Sequence, residues 1–170
     1  MENSSETNIN VEELFKQAQE DPSLFSTMNI DDLLNALEKD STDYLENKTL
    51  NSINKEIFDT IHLLPFDINK KKELCQKLIG YRLVNQLFEL HRGKLVKTIK
   101  TADHSIAPYL RMHGVVMNTK FFDNGTHIVC MNPSRKFSQY KFDDHITFQK
   151  LSADEQLILM AYEYIEKEKR

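Results

Sequence analysis

Two cysteines, four glycines and four prolines in 170 residues leave several chemistries without their usual raw material. Cys75 and Cys130 are too few and too far apart in sequence to frame a disulfide scaffold, so reduced, buried thiols are expected. The glycines are scattered at Gly80, Gly93, Gly114 and Gly125, and no phosphate-cradling loop can be assembled from them. No G-x-S-x-G elbow presents a serine, and neither cysteine stands in a recognisable nucleophile context. No apolar run approaches the length of a membrane span, and the polar, acidic opening MENSSETNIN lacks the apolar stretch of a secretory signal. A soluble intracellular protein is the expectation, in which the triplets at Asn3, Asn47 and Asn124 never meet the glycosylation machinery.

What is present is charge, unevenly laid out. The chain carries 22 basic and 26 acidic residues for a net charge of -4, which gives no global bias toward nucleic acid or an anionic membrane. Residues 1–60 nevertheless hold 14 acids against 4 bases, whereas residues 61–150 hold 7 acids against 15 bases. Such a dipolar chain either folds its acidic part onto its basic part or keeps the basic part for an outside polyanion.

A chain of this length and 40% apolar composition can bury one substantial core. Residues 1–9 have no apolar anchor and read as a disordered tail. Residues 10–92 read as an acidic-to-mixed helical region. Asn10 with Glu13 caps a helix over Val11 to Gln19, Asn29 caps another over Ile30 to Lys39, and Leu50, Ile53, Ile57, Ile61 and Leu64 form a helical stripe ended by Pro65. Asp67 can cap a longer helix running to about His91. At Gly93 the periodicity changes to alternation, and strands are expected at Lys94 to Lys100, His113 to Phe122, Thr126 to Asn132, Phe137 to Phe142 and His145 to Leu151. Five short strands over residues 93–151 suggest a small antiparallel β-barrel of the Tudor or Src-homology type, with a curled open sheet packed on the helices as the competing geometry. Ser152 and Glu155 make a capping box for a closing helix over residues 152–170. The expected fold class is thus α+β: a helical N-terminal part beside a small barrel, closed by a C-terminal helix.

Within residues 114–132, GVVMNTKFFDNGTHIVCMN, two apolar runs flank Asp123-Asn124-Gly125, a hairpin signal in which Asn124-Gly125 supplies the positive-φ turn. Strict alternation places Val115, Met117, Thr119 and Phe121 on one face and Val116, Asn118, Lys120 and Phe122 on the other. His127 and Cys130 resemble a metal pair, but positions three apart on a strand point to opposite faces and cannot converge on one ion. Asp143-Asp144-His145 gathers two acids and a base, which reads first as turn chemistry. No catalytic residue, metal site or cofactor is expected. The cations Arg92, Lys94, Lys97, Lys100, Arg111, Lys120, Arg135, Lys136 and Lys141, with Phe122, form the candidate binding set. Interleaved with aromatics, they are of the kind that tracks phosphates and stacks bases, although in a small barrel the aromatics first serve the core.

The segments GKLVKTIK, LRMHGVVMNTKFFDNGTHIVCMN and FSQYKFDDHITFQKLSADEQLILMAYEYI together resemble a C-terminal module of uncharacterised proteins from giant double-stranded DNA viruses, over roughly residues 91–166. In that module the first strand carries an aromatic residue and paired glycines precede the second; here Lys97-Thr98 and His113-Gly114 stand in those places. The resemblance implies a small viral protein of unassigned function, in the host cytoplasm or virion interior, and supplies no catalytic residue. The functional expectation is a non-enzymatic module that binds another viral or host protein, without membrane association. Nucleic-acid binding through the basic surface is the alternative.

Overall fold

The structure, a computed structural model, describes residues 43–101 and 109–170. The tail over 1–9 and the helices expected at Val11 to Gln19 and Ile30 to Lys39 lie outside the described residues. The described chain falls into two units, residues 51–151 and residues 43–50 with 152–170.

In the larger unit, α1 (Leu50–His62) turns Ile53, Ile57 and Ile61 inward at four-residue intervals. Next comes α2 (Ile68–Lys77), where the Asp67 carboxylate accepts the Lys70 backbone N–H at 2.8 Å. Six antiparallel strands follow: β1 (Tyr81–Val84), β2 (Leu95–Lys100), β3 (Leu110–Phe122), β4 (Gly125–Met131), β5 (Phe137–Lys141) and β6 (His145–Lys150). Their order across the sheet is β1-β6-β2-β3-β4-β5.

That order corrects the barrel expectation. A barrel needs the first and last strands of the ladder to pair. Here β1 and β5 stand at opposite edges and the sheet is open. The physical reason lies in where the apolar side chains go. On one face, called outer here, Tyr81, Ile99 and Phe148 pack with Ile57, Ile61, Leu74 and Leu78, so α1 and α2 cover the β1-β6-β2 half. On the inner face Val96, Val116, Ile128, Cys130 and Tyr140 form a second cluster, against which Leu87, Leu90 and Phe142 pack. Two cores, one on each face, do what a single barrel interior was expected to do.

The helix expected from Asp67 to His91 stops at Lys77, and residues 81–84 are strand. Gly80 takes φ +82, a conformation that ends the helix, and its carbonyl accepts the Leu151 N–H at 2.9 Å. Tyr81, Arg82, Leu83 and Val84 then pair with Lys150, Gln149, Phe148 and Thr147. Burial on both faces, Tyr81 outward under the helices and Arg82 inward, suits a strand and would defeat a one-sided helix.

The hairpin is also re-registered. Pairing jumps from Val116↔Cys130 to Asn118↔Val129, so Met117 is an extra residue, and a second slip between Val96 and Lys97 leaves His113 extra against β2. Val116, Thr119 and Phe121 consequently share the inner face, while Val115, Asn118, Lys120 and Phe122 share the outer one. The expected face of Val116, Asn118, Lys120 and Phe122 therefore holds only from Asn118 onward. Gly114 makes the bend possible, for at φ +97 an added Cβ would press on the Met131 carbonyl and come within 2.9 Å of Asn132 Cα.

In the smaller unit, α3 (Ala153–Glu168) begins at the capping box expected from sequence. Ser152 Oγ accepts the Glu155 N–H at 3.1 Å, and Glu155 accepts the Ser152 N–H at 2.9 Å. Glu155 also accepts the Tyr44 hydroxyl at 2.6 Å. No helix among the described residues is long and apolar enough to cross a membrane.

Candidate interaction surface

On the β3-β4-β5 half the outer face lies beyond the helix-packed cluster, and its side chains can be read from the ladder. Lys120 pairs with His127 and His127 with Lys141, giving one row across three strands. Asn118, Val129 and Gln139 form the next row, and Met131 and Phe137 another. Partners in an antiparallel ladder share a face, so each row stands together on the outer side. Met117, Asn118, Lys120, Val129, Phe137, Ser138 and Gln139 line a hollow of about 520 Å³ there. Met117, Val129 and Phe137 give it an apolar part, Asn118 and Gln139 supply amides and Lys120 one ammonium, and no acidic residue lines it.

Aromatic side chains mark the two ends. Phe122 is 50% exposed and Phe137 66% exposed. Their partners on β4 are Gly125 and Met131, so the two phenyl groups stand about 20 Å apart along the strand direction at 3.3 Å per residue. The Phe122 ring meets the His127 imidazole edge-on at 5.1 Å. Both His127 ring nitrogens are covered and lack a hydrogen-bond partner among the described residues. Covered polar atoms of this kind are uncommon and call for a partner.

The structure divides the ten residues of the candidate binding set. Lys120, Phe122 and Lys141 come together on the outer face, where Lys141 also lies 3.7 Å from the Asp144 carboxylate. Arg135 and Lys136 are exposed in the turn that leads into β5, with Arg135 at φ +59 and the Lys136 N–H donated to the Asn132 side chain at 2.9 Å. Lys97 is half-buried and engaged at the end of α2: its ammonium donates to the Lys77 carbonyl at 2.8 Å and sits 4.4 Å from the Tyr81 ring centroid. Desolvation, then the Lys77 and Lys150 charges, lower its pKa. Lys100 and Arg111 belong to the inner side, across from His145 and Thr98. Arg92 is exposed ahead of β2, and the Lys94 carbonyl accepts the Val116 N–H at 2.9 Å. The ten do not make one track.

The inner face holds the residues that most resemble a chemical site, and sequence reading did not bring them together. His113 Nε2 lies 2.8 Å from Thr98 Oγ1, and its ring is 4.6 Å from Tyr140 and 6.3 Å from His145. Thr147 donates to the Tyr140 hydroxyl at 3.3 Å, and His145 Nδ1 donates to the Lys141 carbonyl at 2.7 Å. Burial, then the Arg111 and His145 charges, hold the His113 pKa down to about 4, and burial pushes the Cys130 thiol up to about 12. Burial likewise raises Tyr140 and lowers His145. Each shift favours the neutral form. With His113 only 3% exposed and Cys130 fully buried, these two side chains belong to a polar part of the core. Among the described residues no group of three or more His, Cys, Asp or Glu could hold a metal ion.

Phe137 and Val129 were missed as surface residues because aromatic and aliphatic residues of a small sheet read first as core. The usable signal is alternation: Tyr140 is the buried aromatic of β5, which forces Phe137 and Gln139 to the opposite side. No family model, curated protein or solved structure matches the chain.

Proposed function

We propose that the protein is a non-enzymatic interaction module that binds another protein through the outer face of β3-β4-β5. The observation that supports this best is the half-face itself: exposed Phe122 and Phe137 at its ends, and a partly apolar hollow that Met117, Val129 and Phe137 line together with one lysine, Lys120. Large aromatic anchors around a partly apolar hollow are the usual energetic centre of a protein interface. Nucleic acid is the poorer fit. Base stacking needs aromatic platforms at the spacing of neighbouring bases, whereas these two rings stand about 20 Å apart, and the cations that would follow a phosphate chain are split between two faces. In the setting implied by the viral resemblance the partner is another viral or host protein.

The test is a peptide library displayed on phage and panned against the full chain, with a labelled oligothymidylate titrated in parallel. Selected peptides should lose at least about tenfold in affinity, about 1.4 kcal/mol, in Phe137→Ala and in Lys120→Glu. The oligonucleotide should bind weakly near physiological salt. Peptides indifferent to both substitutions, or tight oligonucleotide binding that those substitutions weaken, would overturn the reading.

A further inference from the structure

Along one side β5 pairs with β4; along the other it has no neighbour among the described residues. The Asn132 N–H donates to the Lys136 carbonyl at 3.0 Å, which sets the phase of the ladder. Counting along the register, Ser138 and Tyr140 turn their backbone groups toward β4, leaving those of Phe137 and Gln139 aimed out of the sheet, while the Lys141 carbonyl is already taken by His145 Nδ1 at 2.7 Å. Proteins usually blunt such an edge with a bulge, a proline or an inward charge. The five β4-β5 pairs run without a register shift, and β5 contains no proline. The opposite edge, β1, is only four residues long, and the Gly80 carbonyl at its start is already taken by the Leu151 N–H.

Charge narrows the occupant. From Asn132 to Lys141 the chain carries Arg135, Lys136 and Lys141 and no acid. Lys120 adds a further cation on the adjoining outer face. Any strand laid beside β5 at about 4.8 Å has its own outward side chains next to Phe137, Gln139 and Lys141 in turn.

We infer that the β5 edge takes up an extended acidic segment of a partner protein as a seventh strand. An apolar residue of that segment lies beside Phe137, and a carboxylate four positions away lies beside Lys141. Backbone pairing along Phe137 and Gln139 supplies affinity, while the side chains of Phe137 and Lys141 supply selectivity. The inference rests on the outer half-face being a protein-binding surface and adds the mode of binding and the chemistry of the ligand.

The experiment is fluorescence anisotropy on the full chain. The probe is a labelled threonine-rich peptide with a leucine and a glutamate four positions apart, flanked by further glutamates. Gln139→Pro, which deletes an edge N–H at a position where proline is tolerated, should weaken binding by about tenfold or more. Arg135→Glu with Lys136→Glu should weaken it by a similar factor, as should N-methylation of alternate amides in the probe. Replacing the glutamates of the probe by lysines should abolish binding. Circular dichroism checks that Gln139→Pro is folded; should it not fold, the N-methylated probe and the charge variants carry the test. A probe that binds equally well after Gln139→Pro and after N-methylation overturns strand addition, and failure of the acidic probe to bind overturns the inference outright. In both cases the panning result independently decides whether the face binds peptides at all.

Discussion

His113 shows how a single polar residue can serve a core at neutral pH and undermine it in acid. Its ring is buried between Thr98 and Tyr140, and Arg111 and His145 add like charge nearby, so protonation is disfavoured in the folded chain and its pKa sits at about 4 instead of 6.5. A folded-state pKa below the unfolded value means that the unfolded chain binds the proton first. The contribution is therefore present above pH 6.5 and is lost as pH falls toward 4. Between about pH 7 and pH 5 it amounts to a loss of roughly 2 kcal/mol, from 1.36 kcal/mol per pKa unit. Urea unfolding of the wild type and of His113→Gln at both pH values checks this. The variant should be less sensitive to acidification by about that amount, and equal sensitivity would show that carboxylates elsewhere account for the acid limb.

At the scale of the element, β3 is the strand whose irregularity sets the site. The bulges at His113 and Met117 bend it, and Gly114 lets the bend pass close to Met131 and Asn132. Gly114→Ala meets both a positive φ and a backbone clash and should cost about 3 kcal/mol or more in thermal or urea unfolding. Gly93→Ala meets only the φ of +80, with nothing within 4 Å of the new methyl, and should cost about 1 kcal/mol. Equal costs at the two positions would mean that the close approach at Gly114 is relieved by small movements. The same elements explain which parts of the fold could be read from sequence. In α1 the Ile53, Ile57 and Ile61 spacing is local and matches the expectation, as does the capping box at Ser152. The hairpin between β3 and β4 matches it too, although Asp123-Asn124 make its turn and only Gly125 of the expected Asn124-Gly125 pair takes a positive φ. β1 was hidden because Leu74, Leu78, Leu83 and Leu87 mimic a helical stripe, while its true partner β6 lies far along the chain, with Tyr81 opposite Lys150. The Met117 bulge was hidden for a related reason, since only the meeting of β3 with β4 reveals which residue is left over. Lys120 and Phe122 were placed on one face by alternation because both follow the bulge. Lys97 was misjudged, since nothing in its own strand shows that the end of α2 lies above it.

For the whole molecule, the consequence is a sheet with two unlike halves. Its β1-β6-β2 half is consumed by α1 and α2, whereas its β3-β4-β5 half presents Phe122, Lys120, Val129 and Phe137 outward beside a strand edge with no neighbour among the described residues. Residues 51–151 carry 16 basic and 9 acidic residues, so the unit that bears this surface is cationic although the chain as a whole is not. Salt should accordingly weaken an acidic peptide more than a neutral one of the same apolar content. The central claim, that the outer half-face is where a partner protein binds, is tested most directly by backbone amide NMR of the full chain titrated with a peptide selected by panning. Binding there predicts shifts concentrated at Asn118, Val129, Phe137 and Gln139, with His113 and Thr147 on the inner face unmoved. Shifts concentrated instead around Lys100, Arg111 and His145, with the outer rows unchanged, would contradict it.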